Sequence, residues 1–389
     1  MAGDDAITLL LCGDVMTGRG VDQALPFHCA PGLHESYVSD ARDYLGLAED
    51  ASGPIPRPVR PAYLWGEALA EIERAAPDLR LVNLETSVTT SGAFWVGKEI
   101  HYRMHPGNVP CLTAAGIQCC ALANNHVLDW GYAGLLETLG RLAAAGVKTA
   151  GAGRDLREAQ APAVHELGNG RRILVFGMGA ESSGIPPEWA AGPLRPGVDL
   201  LPDLSRATAE AAGQRMRALR RPGDLVVASI HWGPNWGFET TAEESGFAHA
   251  LVDSGGVDVV HGHSSHHVRA VEVYREKLIL YGCGDLLDDY EGIRGYEAFR
   301  GDLGLLYFAQ LDPAGGRLLQ LELVPTTVRR FQVVRAGAEG TAWLRETLDR
   351  LGQATGTWTR AGGDGRLRLG FGGRPRRVEV EDAAEDLSP

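Results

Sequence analysis

Ile117-Gln118-Cys119-Cys120-Ala121-Leu122-Ala123, running into Asn124-Asn125-His126-Val127-Leu128-Asp129, is the stretch whose reading decides the fold. The apolar run reads as a buried strand, and Gly131 to Ala145 reads as the helix that follows. Two amides and an imidazole therefore sit at the carboxyl end of a strand, where open α/β sheets place their ligands. An amide oxygen beside an imidazole suits a divalent metal and a proton donor.

Outward from this stretch, the first half alternates strand and helix. Strands are expected at Ile7–Cys12, Leu79–Leu84 and Val147–Ala150, with a Gly-rich turn over residues 13–20. Helices are expected at Tyr63–Ala75 and Gly107–Ala115, the latter with Asn108 as a cap. Residues 26–62 look like a long excursion, and 178–202 like a loop near the site. The middle repeats the alternation: strands at Arg172–Gly177, Asp224–Ile230 and Val257–Val260, helices at Leu204–Leu219 and Thr241–Asp253. Strands then follow without intervening helices, at Val268–Tyr274, Leu278–Tyr281, Leu303–Asp312, Arg317–Pro325 and Val328–Val334. This change of period suggests two stacked sheets with helices outside. A helix at Thr341–Leu351 and a hairpin over 356–371 come next. We expect one catalytic domain over 1–335, a helix and hairpin over 336–377 packed on it, and a disordered tail over 378–389.

The 389 residues carry 37 basic and 50 acidic side chains, a net charge of −13. That argues against nucleic acid and against an anionic membrane surface as partners. It leaves room for a small anionic substrate, because a bound metal dominates its local field. The N-terminus has acids where a signal peptide needs bases, and no apolar run reaches the roughly 18 residues of a membrane span. The sequence is thus expected to be cytoplasmic. The six cysteines show no CxxC spacing and read as free buried thiols.

Five polar clusters follow predicted strands: Gly13-Asp14 through Arg19, Asn83-Leu84-Glu85-Thr86, Asn124-Asn125-His126 with Asp129 behind, His231-Trp232-Gly233, and the histidine-rich run 261–267. Each alone is ordinary. Together, carboxylates, an amide oxygen and imidazoles without thiolates suit two ions of Mn²⁺, Zn²⁺, Fe²⁺ or Mg²⁺, bridged by Glu85 or Asp14.

With these motifs the chain resembles the CapA (poly-γ-glutamate capsule synthesis) family, a branch of the calcineurin-like metallophosphoesterases. The likeness rests on five parts in the family's order across residues 7–285. They are Gly-Asp-hydrophobic-Met with Gly-Arg behind, Asn-Leu-Glu, Asn-Asn-His with Asp-x-Gly downstream, His-Trp-Gly, and Gly-His-x-x-His. The resemblance implies a four-layer α/β/β/α sandwich. It implies Asp14, Glu85, Asn125, His231, His263 and His266 as metal ligands and His126 as the general acid. Asp14 and Asn124 join His126 in the catalytic set, with Asn83 and Asn124 orienting the carboxylate and the loop. Arg19 is expected to take a substrate oxyanion, with His267 beside it in the substrate-binding set. The chain departs from the pattern in three places. Met16 stands where ordinary metallophosphoesterases have the His of Asp-x-His. Ser264-Ser265 replaces His-Pro, and Asp285 replaces Asn. The membrane anchor of capsule-forming members is likewise not expected here.

Lys98, His101, Arg103 and His105 cluster after Phe94-Trp95. They read either as a wall for an anionic substrate or as a solvated edge strand. Tyr37, Trp65, Trp189 and Trp236 are candidate pocket walls. The expected function is hydrolysis of a phosphoester, with metal-activated water attacking and His126 protonating the leaving group. Metal-dependent cleavage or transfer at an amide or ester of a γ-glutamyl-like or secondary-metabolite substrate stands beside it, as does a non-catalytic accessory role.

Overall fold

A computed structural model describes residues 6–372 of the chain. The expected tail, 378–389, lies outside them. The described residues form a mixed α/β fold on two large mixed sheets.

In the first sheet Ile7–Val15 is central. It pairs in parallel with Leu79–Leu84, which leads to Cys119–Ala121 and Lys148–Ala150. On its other side it pairs antiparallel with Leu303–Leu311, followed by Leu318–Arg329 and the hairpin Trp358–Ala361/Leu367–Gly370. The second sheet has Arg172–Gly179, Leu225–His231, Val259–His263 and Lys277–Leu280 in parallel, with antiparallel edges at Ala163–Glu166 and Val271–Tyr274.

Strand alternation sorts the side chains into cores. Leu9 and Leu11 join Ile173, Val175 and Val227 in a core shared by the two sheets. Leu10 and Cys12 face the opposite way and pack with Leu135 and Leu142 of the helix Gly131–Ala144. Phe176, Val226 and Ile230 turn outward in the second sheet, onto Met216 of the helix Arg206–Leu219 and Phe247 and Leu251 of the helix Ala242–Asp253. Each fully buried leucine contributes roughly 1.5–3 kcal/mol. The helix Ala338–Thr355 places Leu344 and Leu348 in the core between the sheets.

Several local expectations are corrected. The turn expected from residue 13 begins as strand through Val15, and a short helix, Arg19–Ala24, follows. The helix expected over 63–75 is a 3₁₀ turn, Pro61–Trp65, and a separate helix, Ala68–Ala75. Gly66 separates them at φ 41°, where a Cβ would lie 2.6 Å from the Val333 carbonyl. Asn108 lies inside a 3₁₀ turn and caps nothing; its amide donates to Asp22 Oδ1. The strand expected over 328–334 is two, because Leu318–Arg329 reverses at Arg330-Phe331 into Gln332–Arg335. The excursion over 26–62 contains an unanticipated helix, Arg42–Ser52. All six cysteines are buried and free. No described helix is long and apolar enough to cross a membrane.

Candidate metal centre

The carboxyl ends of the parallel strands of both sheets converge on Asp14. In the first sheet Asp14 is in register with Asn83 on one side and with Asp285 of the short strand Asp285–Leu287 on the other. This close approach requires Gly13, where a Cβ would stand 1.7 Å from the Gly284 carbonyl oxygen. In the second sheet His231 and His263 are in register, so their rings lie side by side with Nδ1 atoms 2.9 Å apart. His261 ties the sheets together by donating from Nε2 to the Cys12 carbonyl at 2.8 Å.

Two donor groups share Asp14. Asp14, His231 and His263 offer atoms within 4.8 Å of one another, and so do Asp14, His266 and Asp285. His266 Nδ1 lies 2.9 Å from Asp285 Oδ1. Asp285 Oδ2 is buried with no hydrogen-bond partner. Asn125 Oδ1 lies 3.2 Å from His231 Nε2, and Glu85 Oε1 lies 4.0 Å from it. The Asn83 amide donates to both Asp14 Oδ1 (2.7 Å) and Glu85 Oε2 (3.0 Å), fixing the two carboxylates relative to each other. Ser264 holds φ 106°, a strained conformation for a residue with a Cβ, and aims its N–H at Asp14 Oδ2 at 3.3 Å.

The electrostatics of the cluster run one way. Burial, with Asp285 adding repulsion, pushes Asp14 up to about 7. Burial also drives Glu85, Asp285 and Asp288 well above the carboxylate range. The same burial drives His231 and His263 well below the usual imidazole value and lowers His266. Buried acids that resist ionising, among imidazoles that resist protonation, form a neutral-nitrogen and oxygen donor set that a divalent cation would satisfy.

His126 lies at the edge of this cluster, with Nε2 3.8 Å from Glu85 Oε1. Its Nδ1 is 2.6 Å from Asp129 Oδ2, and Asp129 also accepts the Tyr102 N–H at 2.7 Å. Lys98 is half-buried beside this pair, donates to Asp129 Oδ1 and the Asn125 carbonyl, and lies 3.0 Å from His126 Nδ1. Burial, with the Lys98 charge adding, lowers His126 to about 4. Burial alone would raise Asp129, but Lys98 and His126 outweigh it and hold the carboxylate below its ordinary value. Asn124 braces the turn: its amide donates to Asn83 Oδ1 (3.0 Å) and the Leu84 carbonyl, while its oxygen accepts the His126 N–H.

The structure brings Asp14, Glu85, Asn125, His126, His231, His263 and His266 together. It separates most of the expected substrate-binding set from them. Arg19 reaches the neighbouring cavity, but its guanidinium is bound to Asp289 through Nε (3.1 Å) and Nη2, and to Glu35 and Tyr44 through Nη1 (3.0 and 3.1 Å). It is a buried ion-pair residue, not a free oxyanion receptor. Arg103 spends its guanidinium on the Ser91 and Ala30 carbonyls and stacks 3.7 Å over Trp130. His101 holds the Trp95 carbonyl at 2.9 Å. The strand expected there is only Arg103–Met104. His267 donates to the Val268 carbonyl, accepts the Gly237 N–H and stacks on Trp236 and Phe299. Lys98 does sit in the site, but facing Asp129. Of the proposed aromatic walls, Trp65 and Trp189 are core, while Tyr37 and Trp236 line the cavity. Asp285 stands out in the sequence only as a substitution; its register with Asp14 makes it a candidate donor.

The family model for the bacterial capsule synthesis protein PGA_cap matches residues 8–290. A probable polyglutamine synthesis accessory protein of Mycobacterium tuberculosis is 51% identical over 92% of this chain and 94% of its own length. The PGA biosynthesis protein CapA of Bacillus subtilis is 30% identical over 74% of this chain and 64% of its own length. The capsule biosynthesis protein CapA of Bacillus anthracis is 28% identical over 49% of this chain and 45% of its own. On the span of the family match and the similarity to these relatives, the chain belongs to the bacterial capsule synthesis (CapA) protein family.

Proposed function

We propose that this chain is a metal-dependent hydrolase that cleaves a phosphoester and serves the synthesis of a glutamate-type polymer or a related product. The observation that carries the reading is the sharing of Asp14 by two donor groups, one completed by His231 and His263 and the other by His266 and Asp285. We read the two sheets and their helices as the four-layer sandwich of the metallophosphoesterases. The donors present fit two divalent cations: they are nitrogen and oxygen only, and one of them, Asp285 Oδ2, is a buried orphan. His231, His263, Asn125 and Glu85 would hold one ion, His266 and Asp285 the other, with Asp14 between. When bound, such ions polarise an ester oxygen and make water acidic.

The chain's own groups supply the rest. Asn83 keeps Asp14 and Glu85 oriented. Asp129 fixes the His126 proton on Nδ1, which leaves Nε2 as an acceptor facing the cluster. His126 Nε2 can then take a proton lost by the attacking water and return it to the leaving oxygen. Burial and Lys98 oppose that protonated form, and Asp129 favours it. Asn124 keeps the ring in place through the His126 N–H.

A second reading, cleavage of an amide in a γ-glutamyl substrate, draws support from the polymer-synthesis names of the relatives. The same polarisation serves a carbonyl. The deciding experiment measures metal content and turnover of p-nitrophenyl phosphate and of a γ-glutamyl anilide. The expected result is close to two ions per chain and metal-dependent phosphatase activity that His126→Ala and His231→Ala abolish. Anilide turnover alone would favour the amide reading. Fewer than one ion per chain with no turnover of either would leave a non-catalytic accessory role.

A further inference from the structure

Beside the metal cluster lies a cavity of about 300 Å³, with His266 and Asp288 in its lining. It is the chamber in which the part of a substrate beyond the reacting bond has room, so its chemistry speaks to substrate class. One wall is aromatic. The rings of Trp236 and Tyr296 stack at 4.2 Å with planes 8° apart, and Trp236 lies 5.5 Å from His266. Tyr37, 63% exposed, stands at the mouth.

The charge of the lining is one-sided. Glu291, Glu297 and Asp302 contribute carboxylates, and Asp288 contributes an acid that burial holds well above the carboxylate range. Among the described residues Arg19 is the one arginine or lysine in that lining, and its charge is already met by two buried carboxylates, Asp289 and Glu35. Glu291 accepts the Arg330 and Phe331 N–H groups at 2.8 Å, an arrangement that orients but does not neutralise it. Asp302 is paired with Arg300 at the rim. A carboxylate-bearing polymer segment entering this chamber would meet acids and, among the described residues of the lining, no free cation. An ammonium group would meet the aromatic side chains of Tyr37, Tyr290, Tyr296 and Trp236 together with acids, the combination that binds alkylated amines.

We propose that this cavity binds an alkylammonium group, so that the substrate of the adjacent centre is an amine-bearing ester and not a polyanion. The proposal rests on reading the Asp14 cluster as the reaction centre, but its ligand chemistry can be tested apart from turnover. Choline and 3,3-dimethylbutan-1-ol have nearly the same shape and differ in charge. Ligand-observed NMR titrations of the metal-loaded full chain should give choline at least tenfold tighter binding than the neutral alcohol. Trp236→Ala should weaken choline at least fivefold. Asp302→Asn, an exposed change that releases the Arg300 charge at the rim, should weaken choline and leave the alcohol unchanged. Equal binding of the two probes, or choline binding indifferent to both variants, would overturn the proposal. A parallel assay compares turnover of phosphocholine with that of 3-phosphoglycerate. Absence of turnover with any phosphoester would count against the hydrolase alone, since the binding data stand without it. A lower KM for 3-phosphoglycerate than for phosphocholine would count against the ammonium site alone.

Discussion

Replacing Arg19 with methionine distinguishes a buried ion-pair residue from a substrate receptor. The side chain is 2% exposed, and its partners Glu35 and Asp289 are fully buried. Its guanidinium carbon also lies 3.9 Å from the Tyr44 ring centre and 4.2 Å from that of Tyr102. Methionine keeps the stem's packing, and at φ 45° it incurs the same backbone cost as arginine, so that contribution cancels. What is lost is the charge between two buried carboxylates, a change worth about 3–5 kcal/mol. Unfolding entropy of roughly 2.1 cal/mol/K per residue gives this chain about 0.8 kcal/mol/K, so Tm should fall by about 4–6 °C. Differential scanning calorimetry at constant metal concentration measures it. Adding Asp289→Asn to Arg19→Met should recover part of the loss, because it removes a carboxylate left without a partner. A Tm within about 1 °C of the parent, together with a large rise in KM for an anionic substrate, would refute the ion-pair assignment and restore Arg19 to the substrate.

Asp285→Asn should lower the metal content from near two ions per chain toward one, read by plasma mass spectrometry, and should reduce the metal-induced rise in Tm. The stabilisation behind that rise is about 2.7 kcal/mol for each site at a free metal concentration of a hundred times Kd; unchanged stoichiometry would remove Asp285 from the donor set. Asp129→Asn releases the His126 Nδ1 proton and unpairs Lys98, so kcat should fall about 10–100-fold with little change in KM; a pure KM effect would place Asp129 in substrate binding instead. Burial lowers His165 to about 4, so the unfolded chain, titrating near 6.5, takes up its proton first. Stability from this group is therefore complete above pH 6.5 and is lost as pH falls toward 4, by about 3 kcal/mol in full. Urea midpoints of His165→Gln should accordingly depend less steeply on pH over that window than those of the parent, and parallel curves would contradict it.

The strands were legible because alternation is a local property. Leu9 and Leu11 against Leu10 and Cys12 announce two buried faces, and the structure places each pair in a different core. The helix Arg42–Ser52 was not legible, because it buries only Tyr44, Leu45 and Ala48, too few to mark a helical period amid charged residues. The candidate donors could be read for the same reason as the strands: polar groups directly after apolar runs are few. Their division of labour could not. Arg19 and Lys98 are both cations near a strand-end motif, and nothing local separates them. What separates them is the carboxylate each meets. Asp289, 270 positions from Arg19, closes a structural network with Glu35, whereas Asp129, 31 positions from Lys98, also holds the His126 ring. Asp285 shows the same dependence. As a lone departure from a motif it looks like the loss of an amide. In register with Asp14 it becomes a carboxylate for the donor group that Met16, buried and apolar, does not supply. A residue's type can thus restrict its chemistry from the sequence, but its role is fixed by the partner the sheet register brings to it.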